Sequence, residues 1–263
     1  IEIALWDLAG KRAGLPLCDL LGGAARRELP VYASLVRHPE GHDRIAEECQ
    51  KALDEGYSMI KLHQSSAPSV RLAQSVVQQR VPITVDVNCA WSALDAIDHA
   101  RQMREYDILW LEEPVWPPDD FAALHRVQRE GGVDLASGES ISTAVRFRAM
   151  LEAGAVCYAQ PSVTRVGGIG EFLQVATLAR HYNVELAAHS PYMGPGLLAT
   201  LHLLAHTGQS RWLERFYFDL EAPLFEGDGN LTGPFARVPD APGLGVSLNQ
   251  DTLRDYELDR GSR

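Results

Sequence analysis

The chain has 263 residues, 46% of them hydrophobic, which is enough apolar material for one large buried core. Its 24 basic and 35 acidic residues leave a net charge of −11, which argues against nucleic acid and anionic membranes as partners and favours a small-molecule substrate. Because the sequence shows neither a signal-peptide pattern nor an apolar stretch of membrane-spanning length, we expect a cytoplasmic protein.

Strand-like and helix-like patterns alternate along the chain after an opening helical stretch over residues 1–13. Seven helices between eight strands are accommodated most simply by a closed parallel sheet, and about 250 residues is the usual size of a (β/α)₈ barrel. The sequence therefore predicts an α/β barrel. The predicted strands are 31–34, 59–63, 83–87, 108–112, 133–137, 156–160, 184–188 and 212–215, separated by helices at 43–55, 69–79, 92–106, 121–130, 143–153, 168–181 and 196–206.

The composition changes at about residue 219, where Gly, Pro and Asp become frequent. Such runs do not favour a regular helix or strand. We therefore predict a barrel domain over residues 1–218, which carries the metal and catalytic residues, and an irregular C-terminal tail over residues 219–263.

Three acidic residues close short apolar runs at intervals of 26 and 27 positions: Asp86, Glu112 and Glu139. This interval is one βα unit, so neighbouring strands of a parallel barrel would bring the three carboxylates together at the face where barrels place their chemistry. Three hard oxygen ligands suit Mg²⁺ better than zinc. The alternative is that each acid caps the helix that follows it, but the matched interval favours a metal site.

Short motifs accompany nearly every predicted strand, and they are specific as a set. The motifs are WDLAGKRAGLPLCDLLGG near the start, Lys-x-His, Asp-x-Asn, Glu-Glu-Pro and Gly-Glu-Ser on the second to fifth strands, RVGGIGE after the sixth, a histidine after the seventh and LER near the eighth. Together they resemble the enolase superfamily, in particular the branch of mandelate racemase and muconate-lactonising enzyme. The resemblance implies the modified (β/α)₇β barrel of that superfamily, one Mg²⁺ per subunit and a homo-oligomer.

The same resemblance assigns roles around the carboxylates. It implies that Asp86, Glu112 and Glu139 bind the metal, that Glu113 lies behind them, and that Asn88 lies near the metal or the substrate. The implied reaction removes the proton α to a carboxylate and gives an enediolate, whose charge Mg²⁺ stabilises as a Lewis acid.

The second strand departs from the family pattern, which commonly ends in Lys-x-Lys with the second lysine as a base. Here the run is Lys61-Leu62-His63, so His63 holds the base position, and we expect either His63 or Lys61 to take the α-proton. Alternation along a strand points Lys61 and His63 the same way, and a neighbouring cation would favour the neutral imidazole. Alternatively, His63 is a hydrogen-bonded barrel residue or only binds the substrate.

A second departure concerns His189, which follows the seventh strand and resembles the family's histidine on the opposite face of the substrate. Its usual aspartate partner is replaced by Ser162, which can orient the ring but adds no charge. His189 therefore acts either as a base or as an acid that protonates a leaving hydroxyl. Tyr192 follows it closely and is expected to line the pocket.

The eighth strand ends at Glu214, where relatives place an acid that hydrogen-bonds the substrate carboxylate or its enediolate form. That role requires a protonated or strongly shared carboxyl group. The alternative is a salt bridge to Arg211 or Arg215.

The resemblance also implies an N-terminal capping domain before the barrel, which we do not expect among these 263 residues, and we expect the tail to pack on such a cap and on the barrel. Because lids of this kind sort substrates and exclude water, we expect the barrel alone to turn over poorly. The leading hypothesis is a Mg²⁺-dependent lyase that dehydrates a sugar acid of the aldonate or aldarate type. The alternatives are a racemase, epimerase or cycloisomerase of a hydroxy acid, and a catalytically impaired barrel that serves as a binding or structural subunit.

Overall fold

The computed structural model describes residues 1–37 and 42–257, and eight of its strands form a parallel sheet. Each of the eight overlaps a predicted strand, although most are shorter because only part of each apolar run joins the ladder. The strands are β1 (Glu28–Ser34), β2 (Ile60–Leu62), β3 (Ile83–Asp86), β4 (Leu111–Glu112), β5 (Leu135–Ser137), β6 (Tyr158–Ala159), β7 (Glu185–Leu186) and β8 (Leu213–Phe216).

Helices connect consecutive strands as predicted. Four of the connecting helices directly follow a residue whose side chain accepts a backbone N–H from the first turn, namely Ser66, Ser92, Asp120 and Thr143, and such caps fix where a helix starts. In chain order the helices of this region are α1 (Glu2–Ala13), α2 (Leu17–Leu20), α3 (His42–Asp54), α4 (Ala67–Val77), α5 (Ala93–Met103), α6 (Phe121–Gly131), α7 (Ala144–Glu152), α8 (Ile169–His181) and α9 (Pro195–Thr207).

The sheet runs in the order β7-β6-β5-β4-β3-β2-β1-β8, and every neighbouring pair in this order is parallel. The predicted α/β barrel is confirmed. Its closure differs from the prediction in one respect, because no ladder joins β7 to β8 among the described residues.

The interior of the barrel is apolar below the carboxyl ends of the strands. Trp110 packs edge-on against Tyr32, with ring centroids 6.3 Å apart, and lies 4.8 Å from the ring of Tyr158. Met59, Ala136 and Ala187 belong to the same buried cluster. These residues form an apolar layer across the barrel interior. The polar side chains two positions later on the same strands therefore lie between this layer and the mouth, at the carboxyl ends of the strands.

The tail is more regular than predicted. It contains a 3₁₀ turn (Gly227–Asn230), the strand β9 (Phe235–Arg237) and the helix α10 (Gln250–Asp255). β9 pairs antiparallel with the first residues of β1, from Glu28 to Pro30. The backbone pairing of β9 with these residues of β1 outweighs the weak strand propensity of the Gly- and Pro-rich segment. The domain boundary at residue 218 and the packing of the tail against a cap stay predictions.

None of the helices in residues 1–37 and 42–257 combines the length and apolar character that crossing a bilayer requires.

Candidate active site

The three carboxylates predicted to bind a metal meet at the mouth of the barrel. Asp86 and Glu112 are opposite each other in the β3–β4 register, and Glu139 follows β5. One carboxylate oxygen from each residue lies within 4.8 Å of the other two. A cluster of three hard oxygen donors, two of them from fully buried residues, matches the ligands that Mg²⁺ takes in proteins.

Lys61 lies among the carboxylates, fully buried. Its Nζ atom is 2.9 Å from Oδ2 of Asp86, 2.5 Å from Oε1 of Glu112 and 2.9 Å from Oε1 of Glu214. Burial lowers the pKa of Lys61, but the three carboxylates outweigh this and raise it well above its usual range. One ammonium does not balance three buried carboxylates, and the pKa of Glu112 is raised by burial. The excess of negative charge favours binding of a divalent cation.

His63 points to the same side as Lys61, as strand alternation predicts. Its Nε2 atom is 3.2 Å from Oδ2 of Asp86, and its Nδ1 atom is 2.5 Å from the carbonyl oxygen of Leu35. A carbonyl oxygen only accepts hydrogen bonds, so Nδ1 carries a hydrogen and donates it to Leu35. The ring is thereby fixed with Nε2 facing the carboxylates.

His189 contacts the opposite end of the carboxylate cluster. Its Nε2 atom is 2.9 Å from Oε2 of Glu139, whose other oxygen accepts a hydrogen bond of 2.7 Å from Arg165. Burial raises the pKa of Glu139, but the hydrogen bond and charge of His189 outweigh it and bring the pKa to about 2. The two histidines therefore flank the cluster, one at Asp86 and one at Glu139.

Ser162 is not placed to orient the ring of His189. Its hydroxyl lies 3.0 Å from the hydroxyl of Thr164, and Nδ1 of His189 has no hydrogen-bond partner among the described residues. Tyr192 is close to the histidine instead. Its hydroxyl donates to the carbonyl oxygen of His189 at 3.2 Å and lies 3.2 Å from that of Thr200, so it holds the backbone of the loop after β7.

Glu214 is bound within the site and not to the arginines near it. Besides Lys61, it accepts hydrogen bonds from the hydroxyl of Ser34 at 3.0 Å and from the backbone N–H of Ser190 at 3.1 Å. Burial raises the pKa of Glu214, but the charge of Lys61 outweighs it, and the net pKa is lowered. The side chain is thus an ionised carboxylate shared with Lys61. The alternative salt bridges are not found, because Arg215 pairs with Asp219 and Arg211 with Glu185.

Asn88 and Glu113 support the cluster from two sides. The backbone N–H and the side-chain amide of Asn88 donate to Oδ1 of Asp86, at 2.8 and 3.0 Å. Glu113 accepts hydrogen bonds from the hydroxyl of Ser137 at 2.5 Å and from the backbone N–H of Gly138 at 3.0 Å. Glu113 therefore ties the end of β4 to the loop that carries Glu139.

Three contacts were not foreseen from the sequence. Ser34 reaches Glu214, Trp110 donates to Oε2 of Glu112 at 3.1 Å, and Arg165 pairs with Glu139. Trp110 stands two positions before Glu112, so strand alternation contained the signal that it faces the barrel interior. For Arg165 the only signal was a basic residue in the loop that follows Ser162.

Comparison with known proteins agrees with this geometry. The family model described as Enolase C-terminal domain-like matches residues 44–252. The chain is 31% identical over 259 residues to a 3,6-anhydro-alpha-L-galactonate cycloisomerase of Streptomyces coelicolor, covering 96% of this chain and 70% of that protein. It is 30% identical over 284 residues to a D-xylonate dehydratase of Haloferax volcanii, covering 98% and 69%.

A solved structure of a mandelate racemase/muconate lactonizing protein from Paracoccus denitrificans, complexed with magnesium, superposes with a TM-score of 0.88 at 27% identity. The match covers 96% of this chain and 73% of that one. The matched family model, these relatives and the buried acidic triad point to one assignment. The chain belongs to the Enolase C-terminal domain-like family, within the enolase superfamily branch of mandelate racemase and muconate-lactonising enzyme.

Proposed function

We propose that this protein is a Mg²⁺-dependent lyase that removes the proton α to the carboxylate of a sugar acid and then expels the β-hydroxyl group as water. One observation carries the proposal: His63 and His189 flank the cluster of Asp86, Glu112 and Glu139. Removal of a carbon-bound proton and departure of a hydroxyl group each require a proton-transfer group, and the site offers one at each end.

Asp86, Glu112 and Glu139 would hold the metal. When bound, Mg²⁺ supplies a Lewis acid that stabilises the negative charge developing on the substrate carboxylate. Lys61 adds a fixed positive charge on the β2 side of the same carboxylates, because its ammonium contacts two of them directly. The substrate is a small carboxylate, as the acids in the names of the two relatives also suggest.

His63 is the better base of the two candidates on β2. Its Nδ1–H is held by Leu35, so Nε2 faces the site with a lone pair when the ring is neutral. Lys61, in contrast, is held as an ammonium by three carboxylates and lacks the lone pair that a base needs. The α C–H bond breaks, and its proton passes to Nε2 of His63.

His189 would act as the acid. The C–O bond to the β-hydroxyl breaks while Nε2 of His189 gives a proton to the departing oxygen, so water leaves. The remaining enol acid tautomerises to a 2-keto-3-deoxy acid, with no change in oxidation state overall. Tyr192 holds the carbonyl oxygen of His189 and so helps to position the ring.

Cycloisomerisation is the second candidate, because one relative at 31% identity carries that activity in its name. It begins with the same proton abstraction and differs in the group that departs or closes a ring. Racemisation or epimerisation would use His63 and His189 as bases on opposite faces. The homo-oligomeric state and the cytoplasmic location expected from the sequence stay predictions.

The test is incubation of the full-length gene product containing this chain with aldonic and aldaric acids and Mg²⁺ in D₂O, followed by NMR. A 2-keto-3-deoxy product supports dehydration. Deuterium at the α-carbon without loss of water favours epimerisation, and a cyclic isomer of unchanged mass favours cycloisomerisation. If no acid exchanges its α-proton while Mg²⁺ binds, the catalytic proposal is wrong and a binding or structural subunit is the better description.

A further inference from the structure

Gln160 follows β6 and is fully buried, yet neither atom of its amide group is satisfied. Both Oε1 and Nε2 lack a hydrogen-bond partner among the described residues. A buried polar group without a partner destabilises the folded state, so native proteins rarely keep one without a reason. A buried, unpaired donor and acceptor in one side chain are a ready binding group for a ligand with hydroxyls.

The location of Gln160 connects it to the candidate site. Tyr158, two residues earlier, packs on Trp110 in the barrel interior, and strand alternation directs Gln160 to the same interior side. The backbone N–H of Gln160 donates to the carbonyl oxygen of Ser137 at 3.0 Å, two residues before Glu139. Gln160 therefore lies at the mouth of the barrel, beside the strand end that carries a metal-ligand candidate.

On its other side, Gln160 neighbours the strand that carries His189. Ala159 is opposite Leu186 in the β6–β7 register, so Gln160 continues opposite Ala187, two residues before His189. Ala136 and Ala187, buried interior residues on the strands to either side, have small side chains. The Nδ1 atom of His189 also has no partner among the described residues, so unsatisfied polar groups gather on this side of the mouth.

We propose that the amide of Gln160 binds a hydroxyl group of the substrate next to the one that His189 protonates. The inference rests on the proposed function, because that function places the acid's carboxylate at the metal ligands and its β-hydroxyl at His189. The amide offers one acceptor and one donor, which match the donor and acceptor of a hydroxyl. Gln160 is then a specificity residue, since an acid without that hydroxyl leaves the buried amide unpaired.

The experiment uses Gln160→Leu, which keeps the approximate size of the side chain and removes both polar atoms, and Gln160→Glu as a second variant. Gln74→Leu on α4 is the matched control, because its amide binds the carbonyl oxygen of Tyr106 far from the barrel mouth. D-xylonate and D-galactonate serve as polyhydroxy probes, and lactate serves as the probe without a hydroxyl beyond the α-carbon. Binding to the Mg²⁺-loaded full-length protein is measured by calorimetry.

We expect Gln160→Leu to weaken binding of the polyhydroxy acids roughly tenfold, as the loss of about one hydrogen bond implies, and to leave lactate and the Gln74→Leu control unchanged. In the unaltered protein, the side-chain amide NMR signals that Gln160→Leu or Gln160→Glu removes should shift with D-xylonate or D-galactonate and not with lactate. This NMR titration tests the proposal even if one variant does not fold.

The failure of this inference is distinguishable from failure of the proposed function. If the unaltered protein exchanges the α-proton of a sugar acid, but Gln160→Leu binds all probes as before or the amide signals do not move, the role of Gln160 is refuted and the function stands. If no acid exchanges and none binds, the function fails, and the role of Gln160 fails with it.

Discussion

The ammonium of Lys61 lies 2.9 Å from the carboxylate of Glu214, which joins β2 to β8 across the intervening strand β1. Both side chains are fully buried. This ion pair and those to Asp86 and Glu112 make Lys61 the counter-ion of the barrel mouth.

Replacing Lys61 by Met should destabilise the metal-free protein. The change leaves three buried carboxylates without their cation, and breaking a buried ion pair by removing one partner costs about 3–5 kcal/mol. The measurement is urea unfolding in the presence of EDTA. Lys51→Met is the control, because Lys51 forms an exposed pair with Glu55 at 3.7 Å, and exposed pairs contribute about 0–1 kcal/mol. Equal losses in the two variants would contradict the buried counter-ion.

Mg²⁺ should stabilise the folded protein through the acidic triad. A ligand that binds only the folded state adds about 2.7 kcal/mol to the free energy of unfolding at a concentration of 100 times its Kd. We expect Asp86→Asn to lose most of this gain, because Asp86 is one of the three convergent ligands. Asp98→Asn is the control, since Asp98 is exposed on α5. Thermal unfolding with increasing Mg²⁺ measures the effect, and an undiminished gain in Asp86→Asn rules out the assigned site.

His202 should make stability depend on pH. Its Nδ1 atom accepts the backbone N–H of Cys18 at 3.2 Å, and burial lowers its pKa from 6.5 to about 4. Between these values the unfolded chain binds a proton that the folded chain does not, so the free energy of unfolding falls as pH drops from 6.5 towards 4. One such group gives a slope of at most about 1.4 kcal/mol per pH unit.

The variant His202→Gln removes this titration, and its unfolding free energy should fall less steeply over the same pH window. The comparison is urea unfolding at a series of pH values, with the exposed His181→Gln on α8 as the control. The assignment fails if His202→Gln keeps the slope of the unaltered protein.

Single replacements of the two histidines should separate their roles. His63→Asn should lower α-proton exchange at least about 100-fold, the smaller end of the contribution of a general base. His189→Asn should leave exchange within a few-fold and lower dehydration by a similar factor of about 100. The measurement is NMR in D₂O with an acid that the unaltered protein dehydrates. If both variants keep full exchange, the proton-transfer roles proposed for them are wrong.

The barrel and its carboxylates were predictable because their signals are periodic. Each strand gives an apolar run, and an acidic residue at the end of three successive runs places Asp86, Glu112 and Glu139 on one face. The order of parallel strands then follows from the connectivity.

The finer contacts of the site were not predictable in the same way. The pattern of residue types predicts the face of the strand on which Lys61 lies. It does not predict that three carboxylates share the ammonium of Lys61, because that sharing depends on the distances between strands. The turn of Ser162 towards Thr164 depends on a loop whose backbone has no period. The strand β9 was not predicted because its partner, β1, lies about 200 residues earlier in the sequence, and local strand propensity does not reveal pairing between such distant segments.

The pairing of β9 with β1 also constrains the order of folding. The residues from Glu28 to Pro30 find their antiparallel partners only between Phe235 and Arg237. During synthesis, the first residues of β1 therefore cannot complete their backbone pairing until residues 235–237 have been made. Closing a loop of this length carries an entropic cost that slows folding. The backbone pairing of the first residues of β1 is consequently completed only after β9 has been synthesised.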